Sequence, residues 1–381
     1  MRDGRRILGL LAAWPLLLAA GAPVPPAGFA NGVNGLPRGL DAALDDAAAV
    51  GFDTVRTFLR WDKIETVEGQ PDWTCRYLGG VDVGPDRDGD GDPDAWPGIP
   101  CDGTPCGCGY SADERVAMVA ADSRRLPLLL TIIGTPAWAR GRPAPGCPSS
   151  APARAMPLKA SKEGAYRAFV AAAVQRYGAA AYAFALWNEP DLAACEAWAG
   201  TAQQFKEQIL SAATTVKASG VVPGLVVAPT LESPSGPAMD TWMDWSQPVD
   251  LLSFNLYVTK VSLGLAKIEE MNAWCRENRR RCPGFYITEF GAHPPSPRKP
   301  HCPGPVAADP GAADVALMKR CRARRSCAGF FLYRLTDQGG PSTCGRALIT
   351  DRGCRKRRLC TIAERFFGRT TLPFDCGGCG S

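Results

Sequence analysis

The sequence predicts an α/β fold, a (β/α)₈ TIM barrel with disulfide-rich loop insertions. Eight short strand-like runs occur along the chain, most of them separated by segments with helical periodicity. Several runs are continuously apolar, as parallel strands are when both faces are covered. The long irregular stretches each follow a strand, so they fall on the face where barrel enzymes carry variable functional loops.

Phe29 to Val33 is the expected first strand. Leu40, Leu44 and Ala48 share one helical face, and Gly51 stops that helix. Thr54 to Phe58 is the second strand. Ser111 and Glu114 form a capping box ahead of Val116, Val119 and Ala120. Leu126 to Ile133 is the third strand. Tyr166, Phe169, Val170, Ala173, Val174 and Tyr177 mark a helix that ends at Gly178, and Tyr182 to Trp187 is the fourth strand. Thr201 with Gln204 caps a helix bearing Phe205, Ile209 and Val216. Leu225–Ala228, Leu251–Phe254, Phe285–Thr288 and Phe330–Tyr333 complete the eight. The alternative is an open doubly wound sheet with a Gly-rich phosphate loop after its first strand, a fingerprint that Asn31-Gly-Val-Asn-Gly35 fits poorly.

The 381 residues are 46% apolar and 21% charged, a globular composition. The net charge is +5, of which Arg2, Asp3, Arg5 and Arg6 supply +2, so the chain carries no electrostatic case for nucleic acid or an anionic membrane. Residues 1–30 read as a secretory signal peptide. Arg5 and Arg6 precede the apolar run Ile7–Ala20, which is too short for a membrane span, and a cut falls anywhere from Ala20 to Ala30. Residues 31–381 are then one barrel domain with an Asp-rich insertion at about 74–110. The sixteen Cys behind an export signal read as disulfides, with connectivity left open. Cys275/Cys282, Cys321/Cys327, Cys344/Cys354 and Cys376/Cys379 are neighbours in sequence. A zinc reading of Cys106/Cys108 and Cys376/Cys379 is weaker, because the chain has only two His. Arg320–Arg325 and Arg355–Arg358 read as solvated helix faces, with a polyanion site as the alternative.

Two Glu residues occupy equivalent places. Glu189 follows the fourth strand in Trp187-Asn188-Glu189-Pro190, and Glu289 ends the seventh in Thr288-Glu289-Phe290-Gly291. Both carboxyls then project at the C-terminal mouth from nearly opposite sides. Glycoside hydrolysis needs such a pair, one to protonate the leaving oxygen and one to meet the anomeric carbon from the other face.

These two motifs resemble the signatures of clan A glycoside hydrolases, the retaining barrel glycosidases. The resemblance extends over Val55-Arg56, Trp61-Asp-Lys-Ile-Glu65, Asp72-Trp73 and Thr135-Pro-Ala-Trp138-Ala139, which look most like the β-xylosidase and iduronidase branch, with a cellulase-like branch next. It implies that Glu189 is the acid/base and Glu289 the nucleophile. It implies that Arg56 keeps Glu289 ionised, that Asn188 binds the sugar 2-hydroxyl, and that Tyr257 hydrogen-bonds the nucleophile. The family often has His two residues before that Tyr, where this chain has Asn255, and many relatives carry a His after the third strand that is missing here. Trp61, Trp138, Trp198, Trp242 and Trp245 follow strands; aromatic faces stack on sugars but also fill cores, and only Trp138 is read as a sugar-stacking residue. Glu65 and Glu68 read as loop carboxylates.

Asp86, Asp88, Asp90, Asp92 and Asp94 alternate around Gly91, a spacing that wraps a hard cation, although Pro97 stands where an EF-hand places its bidentate Glu. The expectation is a structural calcium and no cofactor for catalysis. Together these readings give a secreted, monomeric, retaining O-glycosidase acting on a β-linked poly- or oligosaccharide, with no nucleic-acid or membrane partner. A non-catalytic glycan-binding barrel and a transglycosylase on the same scaffold are the alternatives.

Overall fold

A computed structural model of the chain describes residues 29–34, 40–77, 110–121, 126–221, 224–232, 234–292, 307–333, 357–374 and 376. Its barrel strands are β1 (Ala30–Asn34), β2 (Thr54–Arg60), β3 (Leu128–Ile133), β4 (Ala181–Leu186), β5 (Leu225–Leu231), β6 (Leu251–Leu256), β7 (Phe285–Phe290) and β8 (Cys327–Leu332). Each strand pairs in parallel with its neighbours in sequence, and β8 pairs with β1 to close the barrel. Closure excludes the open doubly wound sheet. The helices are α1 (Leu40–Val50), α2 (Trp61–Ile64), α3 (Ala112–Ala121), α4 (Glu163–Tyr177), α5 (Ala202–Gln208), α6 (Ala213–Ala218), α7 (Gly236–Trp242), α8 (Val261–Glu277), α9 (Pro310–Arg322) and α10 (Arg357–Arg365).

All eight strands lie where the apolar runs put them, with shifted ends. β1 begins at Ala30, and Phe29 before it packs against Phe330 with ring centroids 5.4 Å apart. The barrel thus uses residues at the very boundary expected for the signal segment. β2 runs on to Arg60, a polar end that the apolar pattern does not mark. Both capping boxes form: Ser111 with Glu114 before α3, and Thr201 with Gln204 before α5. The single helix expected after Thr201 is instead α5, a 3₁₀ turn at Leu210–Ala212, and α6.

Inside the barrel, Ala30, Leu129, Tyr182, Ala183, Ala185, Val227, Tyr286 and Phe331 form one apolar cluster. Gly32 makes room for it, since a Cβ there would lie 2.2 Å from the Phe331 ring. The opposite strand faces and the helices share the main core. Toward the C-terminal ends the buried residues become polar: Asn34, Arg56, Thr131, Thr230, Ser253, Asn255 and Thr288. The apolar cluster is the floor of the site, and this polar set is its foundation.

Four disulfides lie wholly among the described residues: Cys147–Cys195, Cys275–Cys282, Cys321–Cys327 and Cys360–Cys376. Cys376 therefore bonds Cys360 rather than its sequence neighbour Cys379, which removes it as a zinc ligand. The basic runs are not simply solvated. Arg320 and Arg324 pair with Glu269, Arg322 lies over the Phe366 ring, and Arg358 is buried against Asp314. No helix among the described residues is long and apolar enough to cross a membrane.

Candidate active site

Glu289 lies inside β7, one residue before its end, and is buried. Each of its oxygens has a donor. Arg56 Nη1 donates to Oε1 at 2.6 Å, and the Tyr257 hydroxyl donates to Oε2 at 2.5 Å. Arg56 is fully buried on β2 and spends its remaining N–H groups on neighbouring strands. Nη1 also donates to Asn34 Oδ1 at 3.0 Å, Nε to Thr131 Oγ1 at 3.0 Å, and Nη2 to Asn188 Oδ1 at 2.8 Å. Its guanidinium lies 4.6 Å from the centroid of the Phe58 ring. A buried guanidinium needs this many acceptors, because each unpaired N–H is costly away from water.

Glu189 stands three residues beyond the end of β4, on backbone that departs from strand geometry. Trp187 has φ +87° and Glu189 φ +50°, both in the left-handed region that side-chain-bearing residues avoid. Such conformations cost on the order of 1–3 kcal/mol each and persist where the surroundings dictate them. Here they are held at three points. Trp187 N donates to Ile132 O at 3.0 Å, Glu189 N to Thr230 O at 2.6 Å, and the Trp187 indole to Ala197 O at 2.8 Å. The indole is also packed among Tyr166, Trp198 and Phe205. The twist of this segment carries the Glu189 carboxyl to Asn255, whose Nδ2 donates to Oε1 at 2.6 Å.

Burial raises the pKa of Glu189 first, and the neighbouring Glu289 raises it further; the hydrogen bond from Asn255 and the charge of Arg56 work the other way, and the result is about 8. Glu232, just after β5, adds a smaller upward push. Burial and the neighbouring carboxyl thus both favour the protonated form of Glu189. Glu289 is the one addressed by a cation and a phenol.

Of the residues singled out in the sequence, Glu289, Arg56, Asn188 and Tyr257 form one directly hydrogen-bonded group, which Glu189 joins through Asn255, Thr288 and Thr230. Asn188 meets Arg56 through its carbonyl oxygen. Trp138 lies in the 3₁₀ turn Ala137–Ala139 that follows β3. Its indole donates to Glu65 O at 2.7 Å, its ring meets Trp61 edge-on at 5.7 Å, and Lys162 lies 5.8 Å from the ring centroid. Its ring is half-buried. Glu65 accepts from Trp61 Nε1 and Gly69 N, and Glu68 pairs with Lys162. Beside them Asp62 is buried against Arg60, and burial, which alone would raise its pKa, is outweighed by Arg60, which lowers it. Asp86, Asp88, Asp90, Asp92 and Asp94 lie outside the described residues, as do residues 1–28 of the signal segment.

The supporting layer was not singled out in the sequence. Asn34, Thr131, Thr230, Ser253 and Thr288 tie Arg56 and Asn255 to five strands. A signal was present: Thr131, Thr230, Ser253 and Thr288 are polar residues within largely apolar strands.

No model of a known protein family matches the sequence, and no curated protein matches it. Solved structures match by fold. A glucosidase from Croceicoccus marinus superposes with a TM-score of 0.56 at 19% identity, covering 90% of this chain and 68% of its own. The chain has the same closed barrel fold as this glucosidase. A family 39 glycoside hydrolase from the gut symbiont Bacteroides cellulosilyticus WH2 gives 0.55 at 16% identity, covering 87% of this chain and 63% of its own. An exo-β-1,4-mannosidase from Opitutaceae bacterium strain TAV5 gives 0.53 at 16% identity, with 91% of this chain and 61% of its own. The chain therefore spans somewhat under two thirds of these last two proteins.

Proposed function

We propose that the protein is a clan A glycosidase that hydrolyses a β-linked glycan by double displacement, with retention of configuration. One observation carries the reading: the two mouth carboxyls sit in opposite environments. Glu189 is raised to about 8 and starts protonated, as a general acid must. Glu289 accepts from Arg56 and Tyr257, which aim it as a nucleophile. In the first step Glu289 attacks the anomeric carbon while Glu189 protonates the departing oxygen, leaving a glycosyl ester. The Glu289 charge is consumed in that ester. Its upward push on Glu189 then ends, and Glu189, now a carboxylate, draws a proton from water for the second step. Asn188, its carbonyl committed to Arg56, offers its amide N–H to the sugar 2-hydroxyl. The β-linkage is taken from the mannosidase of the same fold.

Export is part of the proposal. Each of the nine described Cys is in a disulfide, as suits an oxidising compartment. The Asp86–Asp94 run is proposed to hold one structural calcium.

The test is a panel of β-glycans and aryl β-glycosides assayed against Glu189→Gln and Glu289→Gln. Both variants fold and lose about 10²-fold or more of the activity. Azide partly rescues Glu289→Gly by replacing the missing nucleophile. Near-normal hydrolysis by either Gln variant removes that residue from the mechanism.

A further inference from the structure

Among the described residues, Asn255 is the side chain that donates to the Glu189 carboxyl, and it is itself held. The Thr288 hydroxyl lies 3.2 Å from Asn255 Oδ1 and 3.1 Å from Phe254 O, so its proton is shared between these two acceptors. The Thr230 hydroxyl lies 3.1 Å from Thr288 Oγ1 and accepts from Arg56 Nη2 at 3.5 Å. A buried chain of hydrogen bonds connects Arg56 through Thr230, Thr288 and Asn255 to Glu189. It starts on the guanidinium that holds Glu289. The two carboxyls thus share a framework as well as a field.

We propose that Asn255, braced by Thr288, is the positioning residue of the acid/base: it holds Oε1 as a permanent acceptor, so that the catalytic proton resides on Oε2. The claim rests on the double-displacement reading for its purpose. An acid/base must be protonated in one step and ionised in the next. A donor fixed on Oε1 serves both forms and decides which oxygen faces the leaving group. An amide suits this place because it does not titrate. An imidazole there would exchange protons in the same pH range as Glu189. The charged groups that face Glu189 are Glu289 from β7, Arg56 from β2 and Glu232 after β5. None of these supplies the Oε1 contact.

The test titrates Glu189 directly in the full-length protein carrying carboxyl-¹³C glutamate, followed by NMR from pH 4 to 10. The Glu189 resonance is the one missing in Glu189→Gln. In Asn255→Ala the midpoint rises by about one pH unit, because a hydrogen bond to the charged form is lost. Thr288→Val, nearly isosteric, gives a smaller rise. If Asn255 only fills space, its removal admits water and the midpoint drops toward that of an ordinary glutamate. An unchanged or lowered midpoint in Asn255→Ala and Thr288→Val overturns the proposal. No turnover is needed for this reading. A protein that titrates as described yet cleaves no glycoside would refute the hydrolase assignment and leave the positioning role standing.

Discussion

Arg56 Nη1 and Glu289 Oε1 lie 2.6 Å apart, with both side chains buried in the throat of the barrel. Removing one member of such a pair strands the other charge. Arg56→Met is therefore expected to lower stability by about 3–5 kcal/mol, measured by urea unfolding. Arg56→Lys keeps the charge, but one ammonium cannot span Glu289, Asn34, Thr131 and Asn188. It is expected to recover part of the stability and little of the activity.

Tyr257 holds the other oxygen of Glu289, while its ring packs edge-on against Tyr333 at 6.2 Å. Tyr257→Phe keeps the ring and deletes one hydrogen bond to a charged group. A fall in kcat of about 10- to 100-fold with KM little changed is expected from steady-state kinetics. An unaltered kcat would remove Tyr257 from the nucleophile's support.

The raised pKa of Glu189 has two consequences with fixed signs. Activity requiring the protonated acid persists through neutrality and falls on an alkaline limb near pH 8. For stability, the folded protein binds this proton more tightly than the unfolded chain. The contribution of Glu189 is then fully present below the ordinary glutamate range. It is lost progressively as pH rises through neutrality toward about 8. Glu189→Gln removes that titration, so the slope of its melting temperature between pH 5 and 8 should be less negative than that of the parent.

The barrel was legible because it rests on local pattern. Runs such as Leu128–Ile133 and Phe285–Phe290 are apolar over a strand's length, and capping residues such as Thr201 announce themselves. Glu189 and Glu289 were legible from their motifs. Less visible was what depends on contacts between distant strands. Nothing near Asn255 in sequence points to Glu189, 66 residues away, and nothing near Asn34 points to Arg56. The partners of the Trp138 indole, Glu65 O and Trp61, were likewise out of sight in the sequence. The pairing of Cys376 with Cys360 was hidden for the same reason.

Cys147–Cys195 ties the segment after β3 to the segment after β4, closing 48 residues around the stretch that carries Glu189. Chain-entropy reasoning gives about 4 kcal/mol for a loop of this size. Cys147→Ser with Cys195→Ser is expected to lower the melting temperature and to reduce kcat, since the strained turn at Glu189 loses a restraint. A variant with parental kcat would separate that turn from the bridge.

If Asp86 to Asp94 hold calcium, chelation lowers the melting temperature and added calcium restores it. Purified protein free of calcium, with a melting curve indifferent to chelator, would end that proposal.

The central claim, double displacement through Glu289, is tested most directly by the stereochemistry of the first product. Using whichever aryl β-glycoside the panel identifies, proton NMR is recorded within the first minutes, before mutarotation. The account predicts the β-anomer, because two inversions at the anomeric carbon restore the substrate's configuration. The α-anomer as first product would mean a single displacement by water, and would contradict the account even if Glu189 and Glu289 both proved essential.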